Sequence, residues 1–169
     1  EKTTAKDEFM IAFLALFGTT MYQYLENKAL TYTLASNVSI IIASAPILTA
    51  LSAHIFTKDE KLNPNVILGF VIAFFGVMLV VFNGTVVLKL NPLGDVMSFM
   101  AALCWAGYSI LLKKLSGKFE SIFLTKKTMF YAIIITLPFL LLEGAPFNFD
   151  CFFENKITIL CILFLGVIG

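Results

Sequence analysis

Arginine is absent from the 169 residues, and all 12 basic side chains are lysine. Histidine occurs once, at His54, so a metal site built from several histidines is excluded. Three cysteines, Cys104, Cys151 and Cys161, form no CxxC pair and no metal-binding spacing. They read as small apolar residues within or beside helices. The phosphate loop GxxxxGK[ST], the zinc motif HExxH and the nucleophile elbow GxSxG are all missing. No nucleophile–base pair stands out either, which disfavours an enzyme, and no cofactor or metal is expected. Charge is scarce: Asp, Glu and Lys make up 14% of the chain, where a soluble domain carries about 25%. The net charge of +1 gives no reason to expect a nucleic-acid partner.

What fills the chain instead is hydrocarbon. Hydrophobic residues account for 59%, and the mean hydropathy is +0.92. A soluble chain this apolar would expose large patches and aggregate. The composition therefore predicts an all-α, polytopic bundle of membrane helices with the lipid bilayer as its partner. The polar start Glu1–Glu8, followed by an apolar run too long for an h-region, does not fit a signal peptide. The run Ile157–Gly169 at the other end is too short to span, so the sequence reads as a piece of a longer protein.

The span around which the rest is organised, Leu34–Phe56, carries no Lys, Asp or Glu. At about 1.5 Å per residue it reaches about 34 Å, enough to cross a ~30 Å hydrocarbon core with some tilt. Before it, Phe9–Leu25 can just span, and Glu26–Thr33 reads as a short turn. After it come a charged turn at Thr57–Asn63, a span at Asn65–Phe82, a loop at Asn83–Asn91, and a span at Leu93–Leu112. Pro64 and Pro92 suit helix starts. Lys113–Lys127 reads as a long basic connection. Thr128–Leu142 is a short fifth span unless Ser121–Lys127 adds a turn. Glu143–Lys156 is a loop before the last apolar run. The sequon Asn83-Gly84-Thr85 is assigned no glycan.

Lysines set the expected topology. With the lead inside, nine lysines fall on the inner loops and three, Lys28, Lys89 and Lys156, on the outer ones. That bias predicts a multi-pass cell-membrane protein, plasma or inner, with a cytoplasmic lead.

Small residues mark helix contacts within lipid. In the organising span Ser36, Ala43 and Ala50, with Ser39, Pro46 and Ala53, form one seam. Ile41, Leu48 and Ile55 lie on a distant face that suits lipid. Pro46 predicts a mid-span kink. Gly69, Ala73 and Gly76 form a second stripe, so both helices read as interior members of a bundle. On the fourth span Asp95, Ser98, Ala102, Trp105 and Ser109 share a face, with Tyr108 beside it. Trp105 lies about 18 Å along that helix, near mid-membrane. Trp105 and Tyr108 read either as a cavity wall or as packing between helices.

Tyr22, Glu26 and Asn27 stand together at the end of the first span. Glu26 reads as a carboxylate that carries protons or pairs with an amine, or as one reaching water at a helix end. Asn37 reads as a hydrogen-bonding partner of a neighbouring helix or of a ligand. His54 reads as an interfacial structural residue or a proton carrier. Asp95 suits the dipole of a helix start.

Three runs carry a family likeness: ENKALTYTLASNVSIIIASAPILTALSAHIFTKDEKL, then GFVIAFFGVMLVVFNG, then LNPLGDVMSFMAALCWAGYSILLKK. Their order and spacing place Ala29, Leu30, Tyr32, Thr33, Ala35, Ser36, Pro46, Glu60, Gly69, Ala73, Gly76, Val77, Gly94, Asp95, Trp105 and Tyr108 on the pattern of EamA-type permeases, of the drug/metabolite transporter superfamily. The chain resembles that family best over Glu26–Lys114. The resemblance implies a ten-helix transporter of two inverted five-helix repeats. Residues 1–86 would be the last three helices of the first repeat and 87–169 the first helices of the second. It implies a secondary transporter, an exporter of small organic metabolites or drug-like solutes by alternating access. Tyr22, Glu26, Asn27, Asn37, Trp105 and Tyr108 are the expected substrate-binding residues. The alternative is a non-transporting membrane scaffold or assembly protein, with the oligomeric state open.

Overall fold

The helices Ala5–Ala15 and Pro92–Ser116 begin where the sequence offers a side-chain cap. In the computed structural model Thr4 caps α1 (Ala5–Ala15) in a reciprocal box with Asp7, each side chain accepting the other's backbone N–H. A π-helical stretch, Leu16–Met21, follows without a break and runs into α2 (Tyr22–Tyr32). Next come α3 (Ala35–Ile42), α4 (Ala45–Phe56) and α5 (Pro64–Phe82). Then α6 (Pro92–Ser116) opens with Pro92 behind the cap Asn91, whose side chain accepts from Leu93 N at 3.2 Å. Last is α7 (Ser121–Leu142). The structure describes residues 3–56, 63–82 and 91–142, with Ile157, Ile159, Leu160 and Phe164. The described residues contain no strand.

Four boundaries differ from the sequence reading. Glu26–Tyr32 is helix rather than turn, because Glu26, Lys28, Ala29 and Leu30 favour helix and prolong the first span. The bend in the organising span falls at Ala43–Ser44, just before Pro46. Proline has no N–H and its ring crowds the carbonyl four residues back, at Ile42, so α3 ends there. Ser44 instead bonds Ile41 O from both its N–H and its hydroxyl. The basic connection shrinks to Gly117–Glu120. Lys113 and Lys114 occupy the last turn of α6, where the dipole favours cations, and Lys126 and Lys127 lie within α7. That makes α7 long enough to span.

The break also shifts the seam. Across it the seven-residue register is lost, leaving Ser39 and Pro46 exposed, Ala53 buried, and Ser36, Ala43 and Ala50 half-buried. Ile55 faces outward, while Ile41 and Leu48 are half-buried. The stripe on α5 is exposed too, and a Cβ added at Gly69 or Gly76 would meet nothing within 4 Å. Gly69 and Ala73 line an open groove of about 430 Å³ against Ala43 and Pro46, not a close helix contact.

The helix at the centre is α6, which packs against α1, the π-helical stretch, α2, α3 and α4. Its inner face is made of small residues: Ser98, Ala101, Ala102 and Ala106 are buried. A Cβ on Gly94 would lie 2.8 Å from Thr33 Cβ, so the backbones meet there only because glycine is present. An apolar cluster of Ile11, Leu14, Leu115, Phe119 and Leu124 joins α1, α6 and α7. Cys104 is a free, buried thiol on α6, as a small apolar residue would be.

Two sets of contacts fix the ends. At one end Lys118 Nζ donates to both Asp7 oxygens, at 2.7 and 2.6 Å, and Lys127 pairs with Glu8. Tyr131 donates to Glu8 Oε2 at 2.6 Å. At the other end Asn91 Nδ2 donates to Tyr32 O at 2.8 Å, and Thr33 donates to Asp95 at 3.3 Å. The lead and the α6–α7 junction therefore share an end, and the α2–α3 turn shares the opposite end with the start of α6. Loops that alternate sides require this arrangement.

Large apolar side chains lie outward on the described helices, among them Phe9, Ile72, Leu79 and Ile133. Ala35–Phe56, Pro92–Ser116 and Ser121–Leu141 are long and apolar enough to cross a membrane, and Pro64–Leu79 is a shorter apolar helix. These features make the chain a multi-pass membrane protein.

The chain divides into two units, Glu1–Thr136 and Leu137–Gly169. In the second, the described residues are helical, with Pro138 inside α7. The turn at residues 57–62, the loop with its sequon at 83–90, the loop at 143–156 and most of the last apolar run lie outside the described residues.

Candidate functional site

Beside the bend, the chain leaves a cavity of about 470 Å³. Proline sets it up: by parting α3 from α4 it leaves Ala43, Ala45 and Pro46 as a low, small-residue floor. Opposite stand Tyr22 and Glu26, one turn apart on α2, whose side chains interact. Trp105 of α6 closes one side and Val77 of α5 another.

An aromatic row backs the wall. The rings of Tyr22 and Trp105 lie 5.3 Å apart at 54°, and those of Trp105 and Tyr108 lie 5.3 Å apart at 42°. Tilted pairs at this spacing are favourable for aromatic quadrupoles. Tyr108 is held from behind. Its ring lies against Gly18 in the π-helical stretch, where an added Cβ would come within 2.2 Å of the ring. Trp105 keeps 41% of its surface exposed and so has a free face to offer.

Of the six residues expected to bind substrate, three meet on this wall: Tyr22, Glu26 and Trp105. Tyr108 touches the wall through Trp105 and also packs against the apolar cluster of α1, α6 and α7. Asn27 is exposed and is not among the lining residues. Asn37 is buried elsewhere, donating through Nδ2 to Thr33 Oγ1 at 3.1 Å. With the Thr33–Asp95 bond this ties α3 to the start of α6. Asp95 occupies the first turn of α6, as its dipole reading expects, and also accepts from that relay.

The serines of the α6 face do not serve the cavity. Ser98 is buried and donates to Gly94 O at 2.8 Å, and Ser109 donates to Trp105 O at 2.9 Å. Ser39 reaches the wall, but its hydroxyl donates to Ala35 O at 2.8 Å. Hydroxyls turned back on their own helix offer a ligand less. Reading the sequence for polar residues overlooked Ile42, Ala43 and Val77. The signal that could have found two floor positions was the small-residue seam, Ala43 and Pro46 included.

Charged groups cluster at the lead instead. Lys118 beside Asp7 holds that carboxyl well below the usual carboxylate range, and Lys127, with Thr3 and Tyr131, holds Glu8 down to about 2. Among the described residues no group of three or more His, Cys, Asp or Glu side chains is placed to hold a metal ion.

Comparison with known proteins extends over most of the chain. The model of the EamA-like transporter family matches residues 1–82 and 92–169. An uncharacterised transporter of Archaeoglobus fulgidus is 30% identical over 99% of this chain and 56% of its own length. The uncharacterised transporter YyaM of Bacillus subtilis is 32% identical over 65% of the chain and 36% of its own. Solute carrier family 35 member F5 of Macaca fascicularis is 24% identical over 98% of the chain and 39% of its own. The chain thus spans about half, or less, of the curated relatives it matches. No solved structure matches it.

Proposed function

Because this chain belongs to the EamA-like transporter family, we propose that it builds the substrate wall of a secondary transporter that exports small organic solutes across the cell membrane by alternating access. On this reading the whole protein has ten helices in two inverted repeats, and the lead lies in the cytoplasm. The family match falls in two segments on either side of residues 83–91, where the proposed repeat boundary lies. Residues 1–86 then close the first repeat and 87–169 open the second.

One observation carries the reading. A cavity of about 470 Å³ lies beside a proline-broken helix, walled by Tyr22, Glu26 and Trp105. Broken helices at mid-depth are where transporters place their substrates. The volume falls in the range of small-molecule sites, and so does the mixture of apolar wall and one polar anchor. Aromatic faces would hold the apolar body of a solute, and Glu26 would orient its polar group. Rocking of the two repeats would expose the wall to each side in turn.

Flux in proteoliposomes of the full-length protein tests this. Trp105→Ala should cut solute flux about tenfold, the loss of one good contact, at equal amounts of folded protein, and Trp105→Phe should retain most of the flux. Flux no higher than in empty vesicles, across a panel of organic solutes, would leave a non-transporting scaffold as the function.

A further inference from the structure

The reading above leaves the solute's charge open, and the wall bears on it. Resting on that reading, we propose that the ligand of this cavity is an organic cation with a flat or aromatic body.

Among the described residues that line the cavity, Glu26 is the one with a formal charge at neutral pH. Among the described residues no lysine and no histidine lines it. Of the lysines at the α6–α7 junction, Lys118 and Lys127 are engaged with Asp7 and Glu8 at one end of the molecule. The wall is therefore negative at one point and otherwise apolar.

The aromatic row adds to this bias. Ring faces carry the negative side of the quadrupole and attract cations, tryptophan most strongly. Tyr22 and Trp105 both line the cavity, with Tyr108 next in the row. A quaternary or protonated amine beside Glu26 would meet a carboxylate and ring faces together. A carboxylate or phosphate would meet no cation among the described lining residues, and the donors left to it are the Tyr22 hydroxyl, which bonds Glu26, and the Trp105 indole N–H. The Ser39 hydroxyl is committed to Ala35 O, and the amide of Asn37 to Thr33. Burying an unpaired anion costs far more than burying a paired cation. A zwitterion would satisfy one end only. The low polarity of the surroundings magnifies each of these differences.

Two probes of one shape and opposite charge test it: tetraphenylphosphonium and tetraphenylborate, binding to the full-length protein in detergent. Tetraphenylphosphonium should bind saturably and tetraphenylborate at least about tenfold more weakly. Glu26→Gln should weaken the cation about tenfold or more and leave the borate no weaker. Trp105→Phe should keep most of the cation affinity, and Trp105→Ala should lose it, each measured on folded, monodisperse protein. Borate binding as tight as phosphonium, or phosphonium affinity unmoved in Glu26→Gln, overturns the cation assignment and leaves the cavity reading standing. Absence of binding by either probe, or binding unmoved in Trp105→Ala, overturns the cavity reading and the cation assignment together.

Discussion

A single hydrogen atom sets the position of the tryptophan row. At Gly18 the side chain stops at that atom, and the Tyr108 ring occupies the space a methyl group would need. Gly18→Ala should push the ring aside and, through the 5.3 Å contact, disturb Trp105. Overpacking of this kind costs about 1–3 kcal/mol. The expected result is a lower melting temperature together with altered tryptophan fluorescence. An unchanged spectrum would mean that Tyr108 does not brace Trp105. Side chains also explain why the candidate cavity was partly legible. Tyr22, Glu26 and Trp105 stood out as polar or aromatic groups in an apolar chain, and they line the cavity. Asn37 stood out equally, but its amide is used by Thr33, a residue four positions earlier across the α2–α3 turn. Spacing does not tell a residue that caps a turn from one that faces a ligand.

Between elements, the main polar fastening joins α1 to the α6–α7 junction. Asp7 grips Lys118, and Glu8 collects Lys127, Thr3 and Tyr131. Both carboxyls are held below their ordinary range. A depressed acid stabilises the fold when ionised. Its contribution is complete above the unfolded value, 4.5 for Glu8, and disappears as pH falls toward about 2. In detergent the wild type should melt higher than Glu8→Gln at pH 6, and the two should converge as the pH is lowered from 4.5 toward 2. A gap that stays constant over that range would show that the pair does not stabilise the fold. Helix starts were easy to read because Pro64 and Pro92 each open a helix. Helix ends were not. The charges of Glu26, Lys28 and Lys113–Lys127 look like loop, yet these side chains favour helix and extend it beyond the apolar core.

Across the whole molecule, the two fastened ends predict which loops share a side of the membrane. Single cysteines placed at Lys118 and Thr3 should react with an impermeant maleimide from the same side of intact cells, and one at Thr31 from the other. Reaction of all three from one side would break the alternation on which the topology rests. The membrane setting itself was plain in the composition, because an exterior carrying Phe9, Leu79 and Ile133 needs hydrocarbon around it.

The π-helical stretch Leu16–Met21 has its own mechanical meaning. In such a turn each N–H reaches a carbonyl five residues back instead of four. Tightening it to ordinary winding would swivel everything downstream by about 100°, one residue's worth of rotation. Tyr22 is the very next residue and Glu26 follows one turn later. A change in winding beside Gly18 would therefore roll the anionic side chain away from the tryptophan, much as a key is turned in a lock.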